Sequence, residues 1–405
     1  MEVKPGYKHT EVGVIPEVWD VSCVGDSFEV CNQLRLPISQ SVRERMAGPY
    51  PYYGPTSVQG WINEYRVEGE YALIGEDGDH FLKWRSQPMT LFVRGKFNVN
   101  NHAHLVRGRK NLTEWFYWLF SNRDLTPYLT RQGAGRYKLT KAALLQIRCA
   151  LPPTTEEQRA ITEALKDVDA LLGALEKLIA KKRELKQAAM QQLLTGQTRL
   201  PGFTGEWETL NMSEKSTLKA RIGWQGLTTA EYLRSGEYYL VTGTDFLNGR
   251  VNWSSCCFVD ASRYVQDKNI QLKPRDILLT KDGTIGKVGF VDSLPGPATL
   301  NSGVFVIRPK DGAYDPLFFY YVLTSRIFDD FLAQLQAGST ISHLYQKDFV
   351  HFSFLAPSVP EQTAIAGVLS DMDAELAALE QQLAKTRALK QGMMQELLTG
   401  RIRLL

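Results

Sequence analysis

The chain has 405 residues, 43% hydrophobic and 22% charged, with 47 Lys or Arg against 44 Asp or Glu. That is an ordinary globular balance with room for two or three domains. No apolar run approaches the ~18 residues of a membrane span, and the opening Met1-Glu-Val-Lys-Pro-Gly-Tyr-Lys lacks the apolar core of a secretory leader.

Residues 1–150 read as a first α/β, strand-rich domain. A lead, Ile15-Pro-Glu-Val-Trp19, precedes an apolar run that ends in Asp-Gly, Tyr71 to Gly78. A β-rich run then starts at Asn101, followed by an aromatic helix over Trp115 to Phe120 and a Gly-rich loop, Gly133 to Leu139. From Lys83 to Arg148 there are 13 Lys or Arg against two acids, Glu114 and Asp124, a density that suits a phosphate backbone. His102-x-His104 puts two imidazoles on one strand face. With no Cys or carboxylate cluster beside them, they read as a polar β-face or a nucleic-acid contact rather than a metal site.

Residues 151–200 read as one long helix, opened by a capping box of Thr154 with Glu157 and closed at Gly196. Its apolar positions, Ile161, Leu165, Val168, Leu172, Leu175 and Ile179, step four and three in alternation, which is a coiled-coil seam. At ~1.5 Å per residue, ~40 residues span ~60 Å and need a partner helix. The seam is interrupted at Lys182 and Lys186, and the apolar face re-forms at Leu185, Leu193 and Leu194.

Residues 201–354 repeat the order of the first domain with different residues. The lead is Phe203 to Trp207, the Asp-Gly run is Asp276 to Gly283, and the Asn-led run starts at Asn301. The aromatic helix spans Leu317 to Val322, and the polar loop spans Gly338 to Leu344. From Glu208 to Phe354 the charges balance at 15 against 15. Residues 355–405 then repeat the helix. Leu151–Leu200 and Leu355–Leu404 align without a gap at an offset of 204, with 28 of 50 positions identical. The second box is Ser358 with Glu361, the second cap is Gly400, and the second seam is Ile365, Leu369, Met372, Leu376, Leu379 and Leu383. Thr386 and Lys390 interrupt it, and the apolar face re-forms at Leu389, Leu397 and Leu398. The chain is an internal duplication.

Motifs for chemistry are missing. There is no Asn/Asp-Pro-Pro-aromatic methyltransferase motif. Gly283 to Val288 lacks the spacing and the hydroxyl of a P-loop, and no carboxylate constellation suggests a nuclease. Five cysteines, with no Cys-x-x-Cys spacing and two adjacent at Cys256-Cys257, read as reduced thiols of a cytoplasmic protein. The chain itself reads as non-catalytic, with no metal site. The competing readings are a coiled-coil adaptor with protein-binding heads and a fused enzyme.

The layout resembles the specificity subunits of type I restriction-modification systems. The resemblance rests on Pro153-Thr-Thr-Glu-Glu-Gln-Arg-Ala-Ile161 and Pro357-Ser-Val-Pro-Glu-Gln-Thr-Ala-Ile365. It rests also on the helix ends Lys186 to Gly196 and Lys390 to Gly400, and on Gly338-Ser-Thr-Ile. It implies an α+β chain with pseudo-two-fold duplication. Two α/β, strand-rich target recognition domains, 1–150 and 201–354, are separated by helical spacers, 151–200 and 355–405, that pair as an antiparallel coiled coil. Each domain is then expected to read one half of a split site on double-stranded DNA. The implied partners are two adenine methyltransferase (modification) subunits and two restriction subunits that translocate and cut, with no membrane. S-adenosylmethionine, ATP and Mg belong to those partners, and this chain holds no cofactor.

Arg suits guanine edges, Asn and Gln suit adenine edges, and Lys suits phosphate. Beside the glycine turns, the candidates for DNA contact in the first domain are Lys96, Asn98, Asn101, Arg107, Arg109, Arg131, Arg136 and Lys138. In the second they are Lys281, Thr284, Lys287, Asn301, Ser339, Thr340, His343 and Lys347.

Overall fold

The structure, a computed structural model, describes residues 4–132, 136–337 and 343–404. The chain divides into two compact units, one of residues 1–176 with 381–405 and the other of residues 177–380. Both boundaries fall inside the long helices, so each unit holds one globular segment and parts of both helices.

In the first unit a six-stranded sheet runs in the order Phe28–Val30, Ala103–Gly108, Val67–Gly75, Thr90–Val99, Ala47–Tyr53, Val58–Ile62. The aromatic helix, Thr113–Ser121, buries Trp115, Phe116, Trp118 and Phe120 against it. In the second unit the order is Ser216–Ala220, Val304–Pro309, Ile277–Thr280, Val288–Phe290, Arg250–Val251, Phe246–Leu247. Its aromatic helix is Pro316–Leu323, capped by Asp315, whose Oδ1 accepts from the backbone of Leu317 and Phe318. The four leading strands correspond in the two orders, as the repeated sequence pattern requires. In each unit a short strand just before the domain pairs with the last strand before the long helix: Asp20–Cys23 with Arg148–Leu151, and Glu208–Asn211 with Ser353–Ala356. The second unit adds a helix absent from the sequence reading, Arg326–Ala337.

The long helices are Thr155–Leu193 and Val359–Leu397. Ala, Leu, Glu, Gln and Lys dominate both, so propensity and pattern agree. Gly196 at φ +71° and Gly400 at φ +70° end them in the left-handed region, where a side chain would be strained. Only the first capping box forms in part. Thr154 Oγ accepts from the Glu157 N–H, but the Glu157 carboxylate binds Arg403 and Trp19 instead of folding back. Glu361 likewise binds Arg199. Both carboxylates are about 1% exposed, and a buried charge takes a cation before it takes a neutral N–H.

Within each unit two helical segments pair antiparallel. In the first, Asp169 meets Lys390, Glu176 meets Arg387 and Glu157 meets Arg403. In the second, Asp373 meets Lys186, Glu380 meets Arg183 and Glu361 meets Arg199. The second set is the first shifted by the repeat. The four pairs that leave Glu157 and Glu361 aside are partly or fully exposed and stabilise by only about 0.2–1 kcal/mol each, so their main effect is to select the antiparallel register. The lysines that interrupt the seam are therefore ion-pair partners. Leu185 and Leu389, read as part of a re-formed apolar face, are instead 47% and 57% exposed. The twelve seam residues are each buried or half-buried. Ile161 and Leu165 pack with Leu397 and Leu398 into the first unit's core, and Ile365 and Leu369 pack with Leu193 and Leu194 into the second's.

No helix among the described residues is long and apolar enough to cross a membrane, and the five cysteines are unpaired. Burial pushes the Cys149 thiol up to about 12, so it behaves as an apolar core residue.

Candidate nucleic-acid interface

Hydrogen bonds of the backbone define one mouth on each globular domain and show which residues correspond. In the first, the Asn100 N–H donates to the Tyr53 carbonyl and Asn100 Oδ1 accepts from the His102 N–H. The Glu76 N–H donates to the His102 carbonyl, and the Leu139 N–H donates to the Glu76 carbonyl. In the second, the Asn301 N–H donates to Val241 and Asn301 Oδ1 accepts from the Gly303 N–H. The Lys281 N–H donates to Gly303, and the Leu344 N–H donates to Lys281. Three strand-connecting turns and the end of the closing segment thus converge in each domain, held by the same bonds.

This wiring corrects one sequence pairing. Asn100, not Asn101, is the counterpart of Asn301. Asn100 is 5% exposed, and its Nδ2 donates to Gln59 at 3.0 Å, whereas Asn101 is exposed at the rim. Glu76 corresponds to Lys281, and Lys138 to His343, so equivalent positions carry different charge.

In the second domain the mouth is a cleft of about 550 Å³ lined by Tyr232, Thr242, Thr244, Thr284, Lys287 and Asn301, with the Asp282-Gly283 turn at its edge. Lys287 Nζ donates to the Gly243 carbonyl at 3.3 Å, which aims a half-buried ammonium at the cleft. Lys281 lies beside it with its ammonium 5.4 Å from the Phe305 ring centre. His343 pairs through Nδ1 with Asp282. Hydroxyls, an amide and ammonium groups are what base edges and phosphates take. Lys347 is exposed on the helix Gln346–Phe349, with its ammonium 5.5 Å from the Tyr345 ring centre and outside the cleft lining. Ser339 and Thr340 lie outside the described residues.

In the first domain Asn101, Arg131, Arg136 and Lys138 gather around the Asp77-Gly78 turn. Lys138 bridges in register to Asp77, and the Gly78 N–H donates to Tyr137. Arg131 is held by the Tyr137 hydroxyl at 2.7 Å, and Arg136 is exposed. Lys138 also meets Glu76 at 3.3 Å, and Arg35 meets Glu76 at 2.5 Å while donating to the Asn101 carbonyl at 2.9 Å. Burial pulls the Glu76 carboxyl up, but the hydrogen bond from Arg35, the His104 ring and Lys138 outweigh it and hold it below the usual carboxylate range.

Four candidates do not join this group. Asn98 is fully buried, accepting from the Arg66 N–H and donating to the Glu64 carbonyl, so its amide is not available to a base. Arg107 and Arg109 lie at the far end of the strand Ala103–Gly108. At ~3.3 Å per residue that is roughly 16 Å from the mouth. Arg107 is also engaged by Glu29 at 2.7 Å. Lys96 is exposed four residues before Asn100, with its ammonium 4.6 Å from the Tyr65 ring centre. The basic stretch is less positive in space than in sequence. Arg94, Arg107, Lys138 and Arg148 are all paired to carboxylates, four of which (Glu70, Glu29, Glu76 and Glu11) lie outside it.

His104 is fully buried. Its Nε2 meets the Leu139 carbonyl at 2.8 Å and its Nδ1 meets Asn32 at 2.8 Å, while burial lowers its pKa. His102 instead pairs with Asp77. The two rings share no ligand, and no group of three metal-ligating side chains occurs among the described residues. Sequence reasoning passed over Arg35, Glu76, Tyr232, Thr242 and Thr244. Only Thr242-Gly-Thr-Asp245 carried a signal, a capping box that closes in the structure with Asp245 Oδ2 accepting from the Thr242 N–H.

The family described as "Type I restriction modification DNA specificity domain" matches residues 16–187 and 225–386. A relative in Haemophilus influenzae is 38% identical over 143 residues, a match spanning 35% of this chain and 34% of that one. The type I restriction enzyme MjaVIII specificity subunit of Methanocaldococcus jannaschii is 25% identical over 96% of this chain and 94% of its own. Among solved structures, a type I restriction-modification S subunit from M. genitalium superposes with a TM-score of 0.64 at 13% identity, covering 98% of both chains.

Proposed function

The chain belongs to the type I restriction-modification DNA specificity family, and on that premise we propose that its two mouths each read one half of a split sequence on double-stranded DNA. The observation that carries this reading is the pairing of identical wiring with different side chains. The same four links build both mouths, yet Glu76 stands where the second mouth has Lys281, Lys138 stands where it has His343, and the Thr242, Thr244 and Thr284 hydroxyls line the second mouth. A scaffold held constant while the lining varies suits two readers of two different base sets.

Contacts divide by chemistry. Arg131, Arg136, Lys281 and Lys287 supply charge for phosphates, and Asn101, Asn301, Thr284 and His343 supply directional groups for base edges. The helices, which differ little between repeats, carry the readers and dock two modification subunits. Methyl transfer with S-adenosylmethionine, and translocation and cleavage with ATP and Mg, then fall to the modification and restriction subunits, and this chain contributes recognition alone.

The test is adenine methylation mapped across the genome of a host that expresses the chain with its modification subunit. The expected result is one split motif with a fixed gap. Exchange of residues 20–150 for those of another family member should change one half-site and leave the other and the gap intact. Stable binding of the modification subunit without any methylated motif would refute the reading and favour a protein-binding adaptor.

A further inference from the structure

Each mouth carries an aspartate–histidine pair, and the two pairs are built from different places in the chain. The aspartates are equivalent: Asp77 and Asp282 each open the Asp-Gly turn. The histidines are not. His102 comes from the turn between the strands Thr90–Val99 and Ala103–Gly108, and its Nδ1 lies 2.8 Å from Asp77 Oδ2. The counterpart of His102 in the second domain is Gly303, which has no side chain. There the imidazole comes from the closing segment, where His343 stands opposite Asp282 in an antiparallel bridge. The counterpart of His343 in the first domain is Lys138, which turns to Glu76 instead. Two domains that differ in nearly every lining residue have thus placed an imidazole on the same carboxylate from non-equivalent positions.

Geometry defines what such a pair presents. A carboxylate accepts and cannot donate, so the ring nitrogen beside it carries the hydrogen. Nδ1–H donates to Asp77 or Asp282, and in the neutral imidazole Nε2 is then a lone-pair acceptor. Among the described residues neither Nε2 has a hydrogen-bond partner, and the side chains are 46% exposed for His102 and 26% for His343. An outward acceptor at a DNA-reading mouth meets the exocyclic amino groups of the major groove, adenine N6 or cytosine N4.

We infer that His102 and His343 each read an amino-bearing base, adenine or cytosine, at one position of their half-site, with Asp77 and Asp282 as positioning residues that hold the tautomer. This rests on the half-site reading proposed above. Asp77→Asn and Asp282→Asn test it. An asparagine amide donates as well as accepts, so it also permits the tautomer with hydrogen on Nε2, which reads guanine O6 or thymine O4.

The experiment maps the methylated motif in the host that co-expresses the modification subunit, with wild type, each Asp→Asn variant, and His102→Gln and His343→Gln. The expected result is that one letter of one half-site, adenine or cytosine in the wild-type motif, becomes degenerate in the variant of that domain. The other half-site and the gap stay unchanged, and the wild-type motif itself shows which of the two bases is read. A merely structural role would lower methylation at every site without changing a letter. An unchanged motif in all four variants overturns the inference while leaving the half-site reading standing, and so does loss of all methylation in variants that melt like wild type. Absence of any motif in the wild type overturns both. If Asp77→Asn or Asp282→Asn lowers the melting temperature, the Gln variants, at partly exposed rings, read the same letters.

Discussion

Removing the cation from each buried glutamate should destabilise the two units unequally. Glu157 and Glu361 start the two long helices and are each about 1% exposed. Arg403 holds Glu157 through two hydrogen bonds of 2.7 and 2.8 Å, and Arg199 holds Glu361 in the same bidentate way. Breaking a buried pair by deleting one partner costs about 3–5 kcal/mol, because a desolvated charge is left behind. The arginine side chains are 36% and 28% exposed, so water enters the vacated space and moves the cost toward the lower bound. Glu157 has one more donor, Trp19 Nε1 at 3.3 Å, whereas Trp207 Nε1 in the second unit is buried without a partner. A hydrogen bond to a charged group is worth about 1.5 kcal/mol at least, so Arg403→Ala should cost about 1.5 kcal/mol and Arg199→Ala about 3 kcal/mol. Hydrogen exchange of the full chain, read at residues 155–165 and 359–369, separates the units where a single melting curve does not. Trp19→Phe added to Arg403→Ala should bring the first unit to the cost of the second. Equal losses in the two single variants, or a loss below about 0.5 kcal/mol in either, would refute the argument that the burial of these carboxylates sets the cost.

Arg136→Ala, at an exposed residue of the closing hairpin, should weaken DNA binding without changing the motif. It should also reduce the slope of log affinity against log salt by about one, which a titration at several salt concentrations measures. Because Arg35, His104 and Lys138 hold the folded Glu76 carboxyl below its unfolded value, its contribution is present above the usual carboxylate range and is lost as pH falls through the lowered value. Glu76→Gln should therefore flatten the acid side of a melting-temperature profile and leave the neutral side nearly parallel to wild type. Leu165→Ala, at a fully buried seam residue, should cost about 3 kcal/mol in denaturant unfolding, within the range for buried leucines. A cost near that of an exposed site such as Leu185→Ala would contradict its place in the core.

The duplication, both long helices with their glycine ends, the aromatic helices and the Asp-Gly turns are all legible in the residues. The duplication is read by aligning the chain with itself, and the others depend on neighbours within a few positions: a step of four and three, a cap at a helix end, a glycine with positive φ. The seam leucines are visible for the same reason, since one helix face is a local property. The pairing of the helix beyond Lys182 is not legible in this way, because an interrupted seam looks alike whether a lysine ends it or finds Asp373 or Glu375 on another segment. The mouths belong to tertiary structure. Tyr53 meets Asn100, Glu76 meets Arg35, and Leu139 meets Glu76, across separations that no spacing rule reaches. That is why Asn98, buried between Arg66 and Glu64, resembles a reader in sequence, and why Glu76 and Arg35 do not. Charge behaves likewise. A count along the chain adds up cations, but only folding brings Glu29, Glu70, Glu76 and Glu11 beside them, and screening by a bound carboxylate decides which cations are left for a phosphate.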